Sequence, residues 1–401
     1  MHFSHELIDG SPPCGRLFLC EPSDLTKNGR PDLIVGGFGS ETLPIVNRRG
    51  IPLLGRLFRR LEEDLFWYEN PGWERHVISP RSDLNILGGT MADVTGDDRL
   101  GLIVGEAIGG QNIYWFEQPE DPQERWTERV IASDFEKYHD LTFGDVDNDG
   151  DPELVGTSQQ SEVLFYYDVP ADPYDVPWPD ECLTVIDRDV SLEGLSIVDI
   201  DDDGQNELIA GTNVYQQPHG GISAPTADGG AATGDQWLCE PIATGWDWTR
   251  VAVGDLDDDG ELEVVFAEGD SPLLGDHMGR VAWFDPPDWE PHVLRDDLYC
   301  PHTLQLADLD GNGHLDIYVA EMGLDTNDGD AKHLVFQNTG DGEFVETVVE
   351  SGVPTHEAKI VDIDGNGTLA VLGKSYEPNV HVDVWYVEQD TPPQTEAIGE
   401  K

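Results

Sequence analysis

Apolar residues recur at every second position over short stretches along the whole chain, and clusters of Asp, Gly and Pro separate the stretches. Alternation with a period of two is the mark of a half-buried strand, and the clusters between are turns. Four such stretches follow one another at Leu141–Gly144, Glu153–Gly156, Val163–Asp168 and Leu183–Ile186. The first two are joined through Asp145, Asp147, Asp149, Gly150 and Glu153. The layout returns at 191–207, 249–263, 302–316 and 356–370, the last without its final acid, and two worn copies lie at 20–32 and 91–101. The leading aspartates, 24, 93, 145, 199, 255, 308 and 362, are separated by 69, 52, 54, 56, 53 and 54 residues. Four short strands in each of seven units predict an all-β, seven-bladed propeller of four-stranded blades.

The expected blades are 16–80, 84–134, 139–188, 191–244, 248–295, 301–350 and 355–389. Third strands carry an aromatic tag: Phe66-Trp67-Tyr68, Tyr114-Trp115-Phe116 and Trp283-Phe284, each followed closely by Pro. Rings of this size fill the wedge between blades. Fourth strands carry an aromatic with aliphatics four and five places on, as in Trp73 with Val77 and Ile78. The last repeat lacks a fourth strand, and Phe3 with Leu7 and Ile8 has the same spacing. Residues 2–9 are therefore expected to complete the last blade and close the ring, leaving no free edge.

Three stretches depart from the repeat. Gln216–Asp235, rich in Gly, Ala and Pro, reads as a loop. Arg48–Glu63 is an amphipathic basic insertion with Leu53, Leu54, Leu57, Phe58 and Leu61 on one helical face. It reads as a cap on a blade, with a lid, an anion-binding element or a membrane-surface helix as alternatives. Residues 388–401 form an acidic tail.

Composition narrows the function. The chain of 401 residues holds 81 acids against 22 bases, a net charge of −59, yet is 38% hydrophobic with 11 Trp. That apolar content argues against disorder. The charge excludes nucleic acid and an anionic membrane as expected partners, and dense carboxylates with few lysines suit a halophilic protein. No apolar run is long enough for a membrane helix, and the first residues lack a secretory pattern. The expected location is cytoplasmic, with secretion after leader removal as the alternative. Five cysteines without a CxxC pair fit reduced thiols.

The Asp-rich loops present oxygens at positions 1, 3, 5 and 9 around a Gly that allows a sharp turn, which suits Ca²⁺. Four copies are complete: Asp145, Asp147, Asp149 and Glu153; Asp199, Asp201, Asp203 and Glu207; Asp255, Asp257, Asp259 and Glu263; Asp308, Asp310, Asn312 and Asp316. The bland alternative is a set of Asx-turns that needs no ion. On these loops the chain resembles the FG-GAP/VCBS-repeat propellers of integrin α-subunit heads and of several carbohydrate-active enzymes. That resemblance implies loops on the bottom face, between first and second strands. The Trp-Tyr-Glu-Asn-Pro tag at 67–71 with histidine-bearing first strands resembles the propeller of the aldos-2-ulose dehydratases, which act on sugars.

Six residues before the leading aspartates stand Phe18, Leu87, His139, Glu193, Thr249, His302 and His356. This level is the top of the strand that lines the channel. Three His and one Glu at one level suit Zn²⁺, Mn²⁺ or Fe²⁺; without a metal they suit acid–base work; a water-filled polar channel is the plain alternative. Glu106, Glu268, Glu321 and Lys374 end second strands at the same face. Trp246, Trp248, Tyr376 and His333 are candidates to stack on a sugar. The expectation is a metal-dependent lyase or dehydratase carrying out β-elimination on a sugar or uronic acid, with a non-catalytic binding or adhesion module as the rival.

Overall fold

The computed structural model describes residues 1–38, 63–217, 237–324, 328–340 and 342–388. The basic insertion, except for Glu63, and all of the acidic tail after Glu388 lie outside the described residues, as does most of the Gln216–Asp235 loop.

Seven four-stranded antiparallel sheets form the blades of the ring. Blade 1 holds β2 (Arg16–Ser23), β3 (Asp32–Phe38), β4 (Leu65–Glu69) and β5 (Glu74–Ser79). Blade 2 holds β6 (Ile86–Ala92), β7 (Gly101–Glu106), β8 (Ile113–Glu117) and β9 (Thr127–Ala132). Blade 3 holds β10 (Tyr138–Gly144), β11 (Glu153–Ser158), β12 (Val163–Asp168) and β13 (Leu183–Arg188). Blade 4 holds β14 (Leu195–Val198), β15 (Glu207–Ala210), β16 (Asn213–Gln216) and β17 (Leu238–Pro241). Blade 5 holds β18 (Thr249–Gly254), β19 (Glu263–Glu268), β20 (Gly279–Asp285) and β21 (Glu290–Leu298). Blade 6 holds β22 (Thr303–Ala307), β23 (Asp316–Ala320), β24 (Lys332–Asn338) and β25 (Phe344–Ser351). Blade 7 holds β26 (Glu357–Asp362), β27 (Leu369–Lys374), β28 (Val382–Glu388) and, from the other end of the chain, β1 (His2–Asp9). Among the described residues no helix is long and apolar enough to cross a membrane.

First strands line the channel, and each touches the next around the circle. Second and third strands are buried on both faces, so their residues are apolar without a break, as in Leu102, Ile103 and Val104. The aromatic tags fill the seams between blades: Trp67, Trp115 and Phe284 are all buried. The cysteines are unpaired, as expected, and all but Cys239 are buried.

The closing strand β1 is attached by few side chains. Phe3, 4% exposed, packs against Tyr318 of blade 6. His5 stacks on Trp385 and its Nε2 lies 2.8 Å from Asp383 Oδ1, across the seam between the first and last strands. The hydrogen bond to Asp383 raises the His5 pKa against the opposing effect of burial, and Glu350 adds to the rise. A base with a raised folded pKa stabilises the fold below its unfolded value of 6.5, and loses that contribution as pH climbs through the folded value. Protection of the β1 amides from hydrogen exchange, corrected for intrinsic rate, should therefore fall as pH rises above 6.5. In His5→Asn that extra fall should vanish. Equal pH dependence in both proteins would remove the clamp from the account.

Candidate functional site: the channel mouth and the acidic loops

Three inner strands are bulged at their upper ends: β2 between Leu17 and Leu19, β6 between Ile86 and Gly89, and β10 between Tyr138 and Leu141. A bulge breaks the alternation of a strand and re-aims its side chains. In β10 it brings two neighbours, His139 and Asp140, to the same cavity. That cavity, about 260 Å³, lies inside the ring and is lined by Phe18, His139, Asp140, Arg250, His302 and His356 among others.

Arg250 ties the site together. From blade 5 its NH2 donates to Glu193 Oε2 of blade 4 at 3.0 Å and to His302 Nε2 of blade 6 at 2.9 Å. Its NH1 lies 3.4 Å from Asp140 Oδ1 of blade 3. His139 stands between two carboxylates, with Nδ1 2.9 Å from Asp140 Oδ2 and Nε2 3.2 Å from Glu193 Oε1. His302 Nδ1 donates to the His356 carbonyl at 2.7 Å, and the two imidazoles stack with centroids 3.9 Å apart. Lys374 donates to His356 Nδ1 and, at 2.8 Å, to the Leu17 carbonyl of blade 1. Tyr376 stacks on the outer side of His356. The network thus passes through every blade but the second, whose equivalent residues are Leu87 and Gly88.

These contacts give three chemically equivalent histidines three different states. Burial opposes charge on His139, but Glu193 and Asp140 outweigh it and the pKa rises, which favours the protonated ring. Burial pushes His302 well below its usual value, and the Arg250 charge pushes the same way. The lone pair that accepts from Arg250 must be on Nε2, which leaves the proton on Nδ1. His356 is lowered by burial, then by His302 and Lys374. Its Nδ1 accepts from Lys374, which leaves the proton on Nε2. Burial brings Lys374 itself down to about 7. Asp140 is half-buried, yet His139 and Arg250 hold its carboxyl far below the ordinary range. Asp270, near this cluster, is raised to about 6 by burial and by Glu193.

The expected transition-metal centre does not fit this arrangement. The side chains of Arg250 and Lys374 already occupy histidine nitrogens that the metal would need. Both nitrogens of His139 face carboxylates, which favours the doubly protonated ring, whereas a ligating imidazole must be free of one proton. The strand-end carboxylates also sit elsewhere. Glu106 accepts from the Gln111 and Asn112 amides and from the Tyr114 hydroxyl. Glu268 is taken by Arg280, and Glu321 by the Tyr299 and Lys332 amides. All three stand at the ends of second strands or just past them, one layer back from the channel, and none lines the channel cavity. Trp246 is core, packed on Phe284 and under Arg280. His333 is fully buried in β24, bonded to Tyr318 and the Val353 carbonyl. Trp248 is half-buried just before β18 and does not line the cavity.

The acidic loops join first to second strands at the opposite end of the channel. Five use one device: the ninth-position acid accepts the amide that follows the leading aspartate. The pairs are Asp32 with Leu25, Glu153 with Val146, Glu207 with Ile200, Glu263 with Leu256 and Asp316 with Leu309. Leading aspartates accept amides four or five residues on, as Asp199 does from Asp203 and Gly204. Asn338 then staples blade 6 to blade 5, donating to the Leu256 carbonyl at 2.7 Å. Turn chemistry therefore supports these five loops from within. Ligand oxygens within 4.8 Å of one another are found in Asp145, Asp147 and Glu153, in Asp199, Asp201 and Asp203, in Asp255, Asp257 and Asp259, and in Asp308, Asp310 and Asp316. A further group joins Asp257 and Glu263 to Asp285, which ends β20 and was not visible in the loop motif. Asn312 differs from expectation, because its Oδ1 accepts the His314 amide.

Crowding leaves some of this charge uncompensated. Among the described residues no donor reaches the buried oxygens Asp145 Oδ1, Asp255 Oδ1 and Glu263 Oε1. Burial and then the neighbouring aspartates raise Glu153 to about 8 and Glu207 and Glu263 to about 7. A divalent cation would satisfy these oxygens and reverse those shifts, so the donor set fits Ca²⁺.

Comparison with known proteins agrees with the repeat architecture. The FG-GAP-like repeat family matches residues 93–156 and 301–372. The chain is a seven-bladed propeller that contains FG-GAP-like repeats. No curated protein matches its sequence. Among solved structures it is similar to one described as BBS1N in complex with ARL6DN, soaked with lead. That similarity has a TM-score of 0.51 at 11% identity and covers 96% of each chain, which speaks for the fold alone.

Proposed function

We propose that this FG-GAP propeller is a calcium-loaded binding module that takes a small polar ligand of the carbohydrate class at the top of its channel. The observation that carries the reading is the Arg250 network. Asp140 and Glu193 face Arg250 and an imidazolium, so four charges cancel inside the ring and fix one another's geometry. Beside them the rings of Phe18 and His302 line the same cavity. Fixed polar groups next to ring faces suit a polyhydroxylated ligand. The excess of surface acid supports work in concentrated salt.

Calorimetric titration with neutral sugars and with uronic acids tests this. Arg250→Ala should weaken binding at least tenfold, because it leaves Glu193 and Asp140 buried without their partner. If no sugar of either kind binds, the carbohydrate reading falls.

Lys374, near 7, favours a second reading, a metal-independent lyase. A group balanced near neutrality suits proton transfer. In such a reaction His356, tuned by Lys374, would relay a proton. The carbon next to the substrate carboxylate loses a proton, its electron pair forms the double bond, and the β-oxygen leaves with a proton. Growth of ultraviolet absorbance from an unsaturated uronate would support this reading, and tight binding without turnover would leave the binding module.

A further inference from the structure

A second cleft lies outside the ring network, beside the seam where β1 meets β28. It measures about 720 Å³, well within the range of small-molecule sites. One part of its lining is apolar: Leu7, Pro12, Pro13, Pro378 and Val380. Leu7 is 55% exposed, although it belongs to a strand that closes the fold. The other part is a polar unit of three side chains, His5, Asp383 and His381.

Asp383 is 1% exposed and both of its oxygens are engaged: Oδ1 by His5 Nε2 at 2.8 Å, and Oδ2 by His381 Nδ1. A carboxylate accepts, so both of those nitrogens carry protons. The outer nitrogen of His5, Nδ1, faces Glu350 at 3.8 Å. The outer nitrogen of His381, Nε2, has no hydrogen-bond partner among the described residues. Since Nδ1 points to the buried carboxylate, Nε2 is the end of the ring turned toward the cleft. Asp383 behind the ring fixes this tautomer and makes the bare nitrogen a stronger acceptor, as a carboxylate does behind any oriented imidazole.

We infer that this cleft is a separate binding site for a flat apolar molecule carrying a weakly acidic hydroxyl, a phenol or an aromatic carboxylic acid, whose acidic group meets His381 Nε2. The match holds in both protonation states. A neutral ligand donates its O–H to Nε2; an ionised one accepts from Nε2–H after the proton has moved to the ring. Prolines and Leu7 supply the faces for the apolar body. Because His5 and Leu7 come from the first strand and His381 from the last blade, an occupant also bridges the ring closure.

The probe is 4-nitrophenol, whose absorbance reports its own ionisation. Titrated into the full-length protein with Ca²⁺ present, it should bind saturably and ionise at lower pH than it does free. His381→Ala should weaken binding at least tenfold and abolish the shift in ionisation. Leu7→Glu, at an exposed position and so safe for folding, should weaken binding by a similar factor through the apolar wall. Saturable binding that is within twofold of wild type in both variants overturns the proposal, and so does the absence of saturable binding to the wild-type protein.

Discussion

Removal of divalent cations is expected to lower the melting temperature of this protein sharply, and more so at pH 8 than at pH 5. Each ion that binds only the folded chain stabilises it by about 2.7 kcal/mol at a hundredfold excess over its dissociation constant. With several loops loaded as proposed, the summed loss would be a large share of the stability of a typical domain. The pH dependence follows from the raised acids. Glu153 moves from 4.5 to about 8 in the folded chain, and Glu207 and Glu263 move to about 7, through burial and neighbouring carboxylates. An acid with a raised folded pKa binds its proton more tightly folded than unfolded. The ion-free fold is therefore favoured at low pH and weakens as pH rises through the window from 4.5 to about 8. Bound Ca²⁺ takes the place of the protons and removes that slope. Melting curves in chelator and in calcium, at both pH values, give the answer. Identical curves would leave the loops as turns that need no ion.

Phe3→Ala is expected to destabilise the protein by about 3–5 kcal/mol, the usual cost of emptying a buried phenylalanine site. The effect is large for one residue because Phe3 is the one buried side chain on β1. Deleting residues 2–9 goes further. It strips β28 of its partner and uncovers Trp385 and Val387, which leaves a free apolar edge open to pairing between chains. The truncated protein should aggregate at concentrations where wild type is monodisperse. Denaturant titration and light scattering check both statements. A change below about 1 kcal/mol for Phe3→Ala would mean that the ring closes by other means.

The ring was legible in the sequence because each blade needs the same turn between its first two strands. Asp and Gly supply that turn and leave their spacing in the chain. The closing strand was legible from Phe3 and its offset to Leu7 and Ile8, although Leu7 proves exposed. The level of His139, Glu193, His302 and His356 was legible from their common distance to the leading aspartates, and all four meet the Arg250 network. Arg250 and Asp140 were not. Both stand one place later, where simple alternation turns a side chain away from its neighbour's face. In β10 a bulge overrides the alternation for Asp140, and a bulge leaves no mark in composition. Charged residues at that next position, Asp140, Arg250 and Glu357 among Leu19, Gly88, Gly194 and Thr303, were the available signal. The transition-metal reading rests on the same omission. Three histidines at one level suggest convergence only while the arginine and lysine between them go unseen.

Metal content of the purified protein, after dialysis against Ca²⁺ and Zn²⁺ together and then against metal-free buffer, tests the central claim most directly. The account holds that calcium stays, at more than one ion per chain, and that zinc does not remain in stoichiometric amount. Calcium should fall in Asp145→Ala and Asp255→Ala and should be unchanged in His302→Ala. One equivalent of zinc retained by wild type and lost in His302→Ala, with no bound calcium, would contradict it.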